Sequence, residues 1–238
     1  MQPWGREDQR PYLHWFGLTY GSYWIEAGGH ELFRYTDQAQ ADLVAEGYAV
    51  TSPYAEYQVV RLWEDLLEVL RAVLEPVPGD LADFVTAETI RWSPDAGEAA
   101  DEASDWYGRH LLSSAHLTAA PVLHLYRSVD QTGDVVTVTW HHNNPHYVAP
   151  EQGQVRLSTP DFIDAVRTFD RQLLDAMEQR VADIERDGPP PGVFVDLDRL
   201  RSEQHERASW LPSALKHRYY NDTDWNVIRA GARWLLER

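Results

Sequence analysis

The stretch VLHLYRSVDQTGDVVTVTWHH, Val122–His142, sets the fold class. Two runs rich in β-favouring residues flank the turn-type sequence Asp130–Gly133. In the second run Val and Thr alternate up to Trp140, the pattern of a half-buried strand, because successive strand side chains point to opposite faces. The stretch predicts an antiparallel hairpin of Val122–Ser128 with Asp134–His142, and a third strand is expected at Gln154–Leu157.

Outward from the hairpin the periodicity changes from strand to helix. Thr159, Pro160 and Asp161 open a long helix with Phe162, Val166, Phe169, Leu173, Met177, Val181 and Ile184 on one face, and Gly188–Gly192 stops it near Asp187. Asp196 caps a further helix running to about Trp210, and Thr223 caps a last one carrying Trp225, Ile228, Ala232 and Leu235. Upstream, Ser52 and Pro53 read as the start of a helix with Val59, Trp63, Leu66, Leu70 and Val73 on one side, ended by Pro76 and Pro78. Residues Asp95–Asp105 carry five carboxylates and no cation, so they form an exposed loop or the start of a helix.

At the front, YLHWFGLTYGSYWIEAGGHELFRY (Tyr12–Tyr35) is broken by glycines into short β-prone runs. Strands near Leu13–Phe16, Ser22–Glu26 and Glu31–Tyr35 would make a small meander. The expected fold is therefore α+β: an antiparallel sheet, built from the N-terminal meander plus the central hairpin, packed against several long helices. All 238 residues are read as one domain, with a sub-boundary only at the 188–192 loop.

The formal charge is −17, from 38 Asp and Glu against 21 Lys and Arg. That balance opposes nucleic-acid binding, which needs a basic footprint, and reads either as a solvated, solubilising surface or as electrostatic steering towards a basic partner. With no cysteine, disulfides, thiolate metal sites and cysteine nucleophiles are excluded. No apolar run reaches the ~20 residues of a spanning helix and the N-terminus MQPWGREDQR lacks a signal-peptide core, so a cytoplasmic protein that does not enter the membrane is expected.

No nucleotide-loop, nucleophile-elbow or zinc-protease motif occurs. Chemistry-bearing residues concentrate instead in two places. One is Trp140-His-His-Asn-Asn-Pro-His-Tyr147, where His141, His142, Asn144 and His146 are candidate catalytic groups at a strand end. Alternation separates His141 from His142 but lets His142, Asn144 and His146 share a side. The other is the front meander: Trp15, Tyr20, Tyr23, Trp24, Glu26 and His30, with Trp140 added from the hairpin, are candidate binding residues, since exposed aromatics beside carboxylates suit recognition. Arg207 and Asp224 could form an ion pair joining the two C-terminal segments, a structural use rather than a catalytic one. No cofactor is called for and no metal site is assigned.

The runs LHWFGLTYGSYWIEAGGHELFRY (13–35) and YQVVRLWEDLLEVLRAVLEPVP (57–78), with the pattern of Leu200, His205, Arg207, Trp210, Asp224 and Trp225, resemble an uncharacterised, mainly actinobacterial family of bacterial proteins, a domain of unknown function. The resemblance implies a bacterial, cytoplasmic, single-domain protein and carries no activity or catalytic residue. The function expected from the residues is an acidic binding protein, an immunity-like inhibitor or adaptor, that holds a protein or small molecule of basic character. The alternative is a hydrolase or metal-assisted enzyme built on His141, His142, Asn144 and His146, with Glu26 or His30 supplied from the other sheet.

Overall fold

The protein is described by a computed structural model covering residues 6–7, 10–114, 116–117, 120–131, 133–216 and 223–236. Two short strands, β1 (Arg6–Glu7) and β2 (Arg10–Pro11), pair at the start. The aromatic stretch that follows is not one meander. Leu13–Phe16, expected as a strand, leads into a one-turn helix, α1 (Trp15–Leu18), because His14 Nδ1 accepts the Phe16 N–H at 3.0 Å and caps it. Three strands come next: β3 (Tyr20–Tyr23), β4 (Ile25–Ala27) and β5 (His30–Leu32). β4 and β5 pair across Gly28–Gly29, whose φ values of 59° and 80° meet the two-residue turn that matches strand twist.

β3 leaves that hairpin for a partner far along the chain. The backbone first forms α2 (Asp37–Ala45), capped by Thr36, whose hydroxyl accepts the Ala39 N–H at 3.2 Å. It then returns as β6 (Ala55–Gln58), antiparallel to β3. The helix expected from Ser52 therefore begins later, as α3 (Val59–Val73); the Ser52 hydroxyl instead accepts the Tyr54 N–H at 3.2 Å and shapes the entry into β6. Trp63, Leu70 and Val73 are buried on α3 as the spacing requires, while Val59 and Leu66 are half-buried.

After a 3₁₀ turn at Gly79–Leu81 come α4 (Ala82–Val85) and α5 (Glu98–Gly108). The acidic segment is thus helical, with Glu98 and Asp101 in the first turn where the helix dipole favours them. β7 (Leu111–Leu112), β8 (Val122–Asp130), β9 (Gly133–His141) and β10 (Gln152–Ser158) make a four-stranded antiparallel sheet in the order β10-β9-β8-β7. The central hairpin pairs Leu125 with Val138 and Val122 with His141. α6 (Thr159–Asp187) runs the length expected, capped by Ser158 and ended at Gly188.

α7 (Leu197–Arg207) starts at its Asp196 cap, which accepts the Arg199 N–H at 2.9 Å. It breaks before α8 (Trp210–Lys216), so Pro212 lies in the first turn of a new helix, where a missing N–H costs nothing. α9 (Trp225–Leu236) is capped by Asp224 rather than Thr223: the Asp224 carboxylate accepts the Asn226 N–H at 2.9 Å. The Arg207–Asp224 pair does not form. Arg207 reaches Glu64 at 3.4 Å and Glu203 at 3.7 Å, and its guanidinium lies over the rings of Trp15 (4.4 Å) and Trp210 (5.1 Å).

The main core gathers Leu13, Trp15, Leu32, Phe33, Trp63, Leu70, Leu123, Val136, Met177, Leu200 and Leu211, so segments on both sides of the 188–192 loop bury into it. A fully buried side chain of this size contributes roughly 1.5–3 kcal/mol. A second cluster forms where α9 packs on α5, around Phe84, Val85, Ala103, Trp106, Ile228 and Leu235. The protein is an α+β fold with antiparallel sheets. Among the described residues no helix is long and apolar enough to cross a membrane.

Candidate acidic cleft

The crossover from β5 through α2 to β6 leaves a cavity of about 710 Å³ between α2 and the β3–β6 pair. Four tyrosines line it: Tyr20 from β3, Tyr35 after β5, Tyr48 after α2 and Tyr54 before β6. Asp42 and Glu46 enter from α2 and its C-terminal end, Glu56 from β6, and His146 from the loop after β9. That loop is held in place by backbone bonds: Thr36 N–H donates to the His146 carbonyl at 2.8 Å, and Val148 N–H to that of Arg34 at 2.9 Å. No lysine or arginine is among the described lining residues.

The local order follows from the sequence. Gly47 takes a positive φ of 93° just after α2 and the Tyr48 N–H donates to the Leu43 carbonyl at 3.0 Å, so Tyr48 turns back onto the cavity. The Tyr20 hydroxyl lies 3.5 Å from Glu56 Oε2, and the Thr51 hydroxyl donates to the other oxygen of that carboxylate. Burial, and then the neighbouring Glu56, push the Tyr20 phenol up from its ordinary value; burial does the same at Tyr35. Both phenols stay neutral, so the negative charge of the lining comes from its carboxylates. At the edge Trp24 stacks on Tyr54 with ring centroids 4.4 Å apart. Tyr54 donates to Glu31 at 2.8 Å, which fixes the ring that Trp24 covers.

The residues expected to bind divide in three. Tyr20 lines the cavity and exposed Trp24 stands at its edge. Glu26 and His30 are exposed on the β4–β5 hairpin, where His30 meets Trp140 edge-on at 5.8 Å. Trp15, Tyr23 and Trp140 are core residues: Trp15 Nε1 donates to Gln204 at 2.7 Å, Trp140 Nε1 donates to the Pro150 carbonyl at 3.2 Å, and the Tyr23 hydroxyl lies 2.9 Å from His116 Nε2. Sequence reasoning missed Tyr35, Tyr48, Tyr54, Asp42, Glu46 and Glu56. The Thr36-Asp37 cap and the Gly47 stop mark α2, and would have placed two of those acids on one helix end.

The histidine cluster comes apart. His142 Nε2 donates to the Ala149 carbonyl at 3.1 Å and its Nδ1 accepts the Asn144 N–H at 3.3 Å; Asn144 Oδ1 accepts the His146 N–H at 2.9 Å. Both side chains hold the turn, and only His146 reaches the acidic cavity. His141 faces another cleft of about 330 Å³, where its Nδ1 lies 4.0 Å from Glu88, a carboxylate distant in sequence. Behind it sit His124, with ring centroids 6.0 Å away, and Tyr107. Because Tyr107 donates its proton to the Ala87 carbonyl at 2.7 Å, His124 Nε2 must be the donor to Tyr107 at 2.8 Å. Burial lowers the His141 imidazole, against the pull of Glu88.

A third cavity of about 480 Å³ is lined by Asp65, Glu68 and Asp105, but there Arg109 offsets the acids and no aromatic ring joins them. Among the described residues no group of three or more His, Asp or Glu side chains is arranged to hold a metal ion. Neutral aromatic walls and three carboxylates thus meet in the α2 cavity. In comparisons with known proteins, no curated protein and no solved structure matches the chain. A family described as "Family of unknown function (DUF5984)" matches residues 1–231, and the chain belongs to it.

Proposed function

We propose that the protein is a binding protein that takes a cationic group of its partner into the tyrosine-lined acidic cavity beside α2. One observation supports this above the others: Asp42, Glu46 and Glu56 line the same cavity as four tyrosines and no lysine or arginine is among its described lining residues, while Arg34, close to Tyr54, is paired with Glu31 at 2.7 Å. A cation entering it gains Coulomb attraction and contact with aromatic faces, each worth more as water is displaced. The volume of about 710 Å³ falls in the range of small-molecule and side-chain pockets. The overall charge of −17 would speed the encounter with a basic partner. The inhibitor or adaptor role, the cytoplasmic setting and the bacterial, mainly actinobacterial affiliation belong to this same reading.

Calorimetric titration with arginine amide at low ionic strength tests it. Binding is expected for the native chain, and a loss of about ten-fold or more for Asp42→Asn combined with Glu46→Gln, since each removes a charge without removing bulk. Equal binding by both proteins, or none by the native chain, would overturn the proposal.

A hydrolase is the second reading, favoured by the Glu88–His141 pair on an open cleft. There Nδ1, the ring nitrogen 4.0 Å from Glu88, would act as the general base, its protonated form favoured by that carboxylate. Unchanged turnover of ester and amide substrates on His141→Gln would remove it.

A further inference from the structure

The cavity of about 480 Å³ lies between α3 and α5. Asp65 and Glu68 line it from α3, Ser104, Asp105 and Arg109 from α5 and its C-terminal end, and Ser113 from just after β7. Asp65 is only 3% exposed; its Oδ1 accepts Arg61 at 2.9 Å, while its Oδ2 has no hydrogen-bond partner and lies 4.0 Å from His116 Nδ1. Burial pushes this carboxyl up to about 6, against the pull of Arg61, and Glu68 and Glu64 add to the rise. Added positive charge beside it would be favourable. Asp105 and Arg109 stand four residues apart, and Arg109 keeps helical backbone angles (φ −68°, ψ −16°), so their Cβ atoms are about 5–6 Å apart. Yet among the described residues no ion pair joins Arg109 to Asp105 or to Glu68. A cavity of about 440 Å³ adjoins this one, with Gly108, Leu111 and Ser113 lining both. Its walls are aliphatic, from Leu111, Leu112, Leu117, Ala120 and Val122, and no charged side chain or aromatic ring is among its described lining residues.

We propose that these adjoining cavities bind a free α-amino acid with an aliphatic side chain, at a site independent of the α2 cavity. The ammonium group has three donors, and three carboxylates, Asp65, Glu68 and Asp105, line the cavity that receives it. The carboxylate of the ligand takes the guanidinium of Arg109, whose fork matches two carboxylate oxygens. Both charged groups of an amino acid are bonded to one carbon, so they fit between Asp105 and Arg109, one helical turn apart. The side chain passes Gly108 into the aliphatic cavity, where burial of its methyl and methylene groups sets the preference. A peptide terminus brings only one of the two charges and a simple amine lacks the anion, so neither uses Arg109 and the acids together.

Calorimetric titration of the full chain with leucine, glycine, isoamylamine and isocaproate tests it. Leucine is expected to bind one to one, and each of the others about ten-fold or more weaker, since they lack the side chain, the carboxylate and the ammonium group respectively. Arg109→Gln, a change at an exposed position, should bring leucine down to the level of isoamylamine and leave that amine no weaker. A Cβ at Gly108 would meet no atom within 4 Å, so Gly108→Leu fills the passage without a clash at the backbone, with its thermal melt as the check on folding. Leucine should then bind no better than glycine. The Asp42→Asn, Glu46→Gln double variant should bind leucine as the native chain does. Equal binding of leucine and isoamylamine by the native chain would overturn the proposal. So would loss of leucine binding in that double variant with Arg109→Gln unaffected, which would place the amino acid in the α2 cavity. No binding of leucine to the native chain would also overturn it, and would leave the α2 reading standing.

Discussion

His110 and His124 show what single residues contribute beneath the surface. Both are buried, and burial lowers each to about 4; Arg109 adds to the effect at His110, and His141 and His110 add to it at His124. His110 donates its Nδ1 proton to the Trp106 carbonyl at 3.0 Å, leaving Nε2 without a partner, and His124 leaves Nδ1 without one. Their folded-state values lie below the unfolded 6.5, so the neutral forms are the ones the fold holds. The stability tied to them is fully present above about pH 6.5 and is lost as pH falls towards 4, on the order of 3 kcal/mol for each group. Urea midpoints measured from pH 7 to pH 4 should fall accordingly. His110→Leu should flatten that acid limb, and an acid limb of unchanged slope would refute the assignment. Arg207 is the other residue that acts alone: Arg207→Ala uncovers two tryptophans and leaves Glu64 half-buried and unpaired, so a loss of about 2–4 kcal/mol is expected in chemical unfolding.

At the level of elements, α2 carries the site and is weakly anchored, with Ala39 its one buried residue. Its Thr36 cap is therefore a sensitive point. Thr36→Ala should cost about 1 kcal/mol and loosen the α2 amides in hydrogen exchange before those of α3 or α6 change. The α5–α9 contact is the opposite case: a Cβ on Gly231 would stand 2.0 Å from the Ala99 carbonyl oxygen and 2.6 Å from the Ala103 methyl group. Gly231→Ala should destabilise by about 1–3 kcal/mol despite its better helix propensity, seen as a lower urea midpoint.

The same elements show what can be read from sequence. α6 was legible because its apolar stripe, Ser-Thr-Pro start and glycine stop are all local, and the β8–β9 hairpin because a short turn joins its strands. The β3–β6 pair was not, since nothing near Tyr20–Tyr23 names a partner at Ala55–Gln58. Without that pairing the cavity could not be assembled on paper. Tyr20 and His146 were found as residue types, but Tyr35, Tyr48 and Tyr54 fall on connections whose neighbours are set only by the returning strand. The place of His142 and Asn144 was hidden for a related reason: polar side chains at a strand end are as well suited to holding a turn as to chemistry, and the backbone groups they satisfy are visible only in three dimensions.

Across the whole molecule negative charge is in excess, and the α2 cavity brings three carboxylates together with four tyrosines. General acidity and a specific site predict different things. Binding through diffuse charge should vanish as salt rises from about 50 to about 300 mM, whereas a desolvated pocket should lose only part of its affinity for arginine amide over that range. The most direct measurement is a map of tyrosine ring and amide resonances by nuclear magnetic resonance during titration with arginine amide at moderate salt. Tyr20, Tyr35, Tyr48, Tyr54 and the α2 amides are expected to shift together and saturate with one dissociation constant. Small, unsaturable shifts scattered over acidic surfaces such as Glu98–Asp105, with the four tyrosines still, would contradict binding in the α2 cavity.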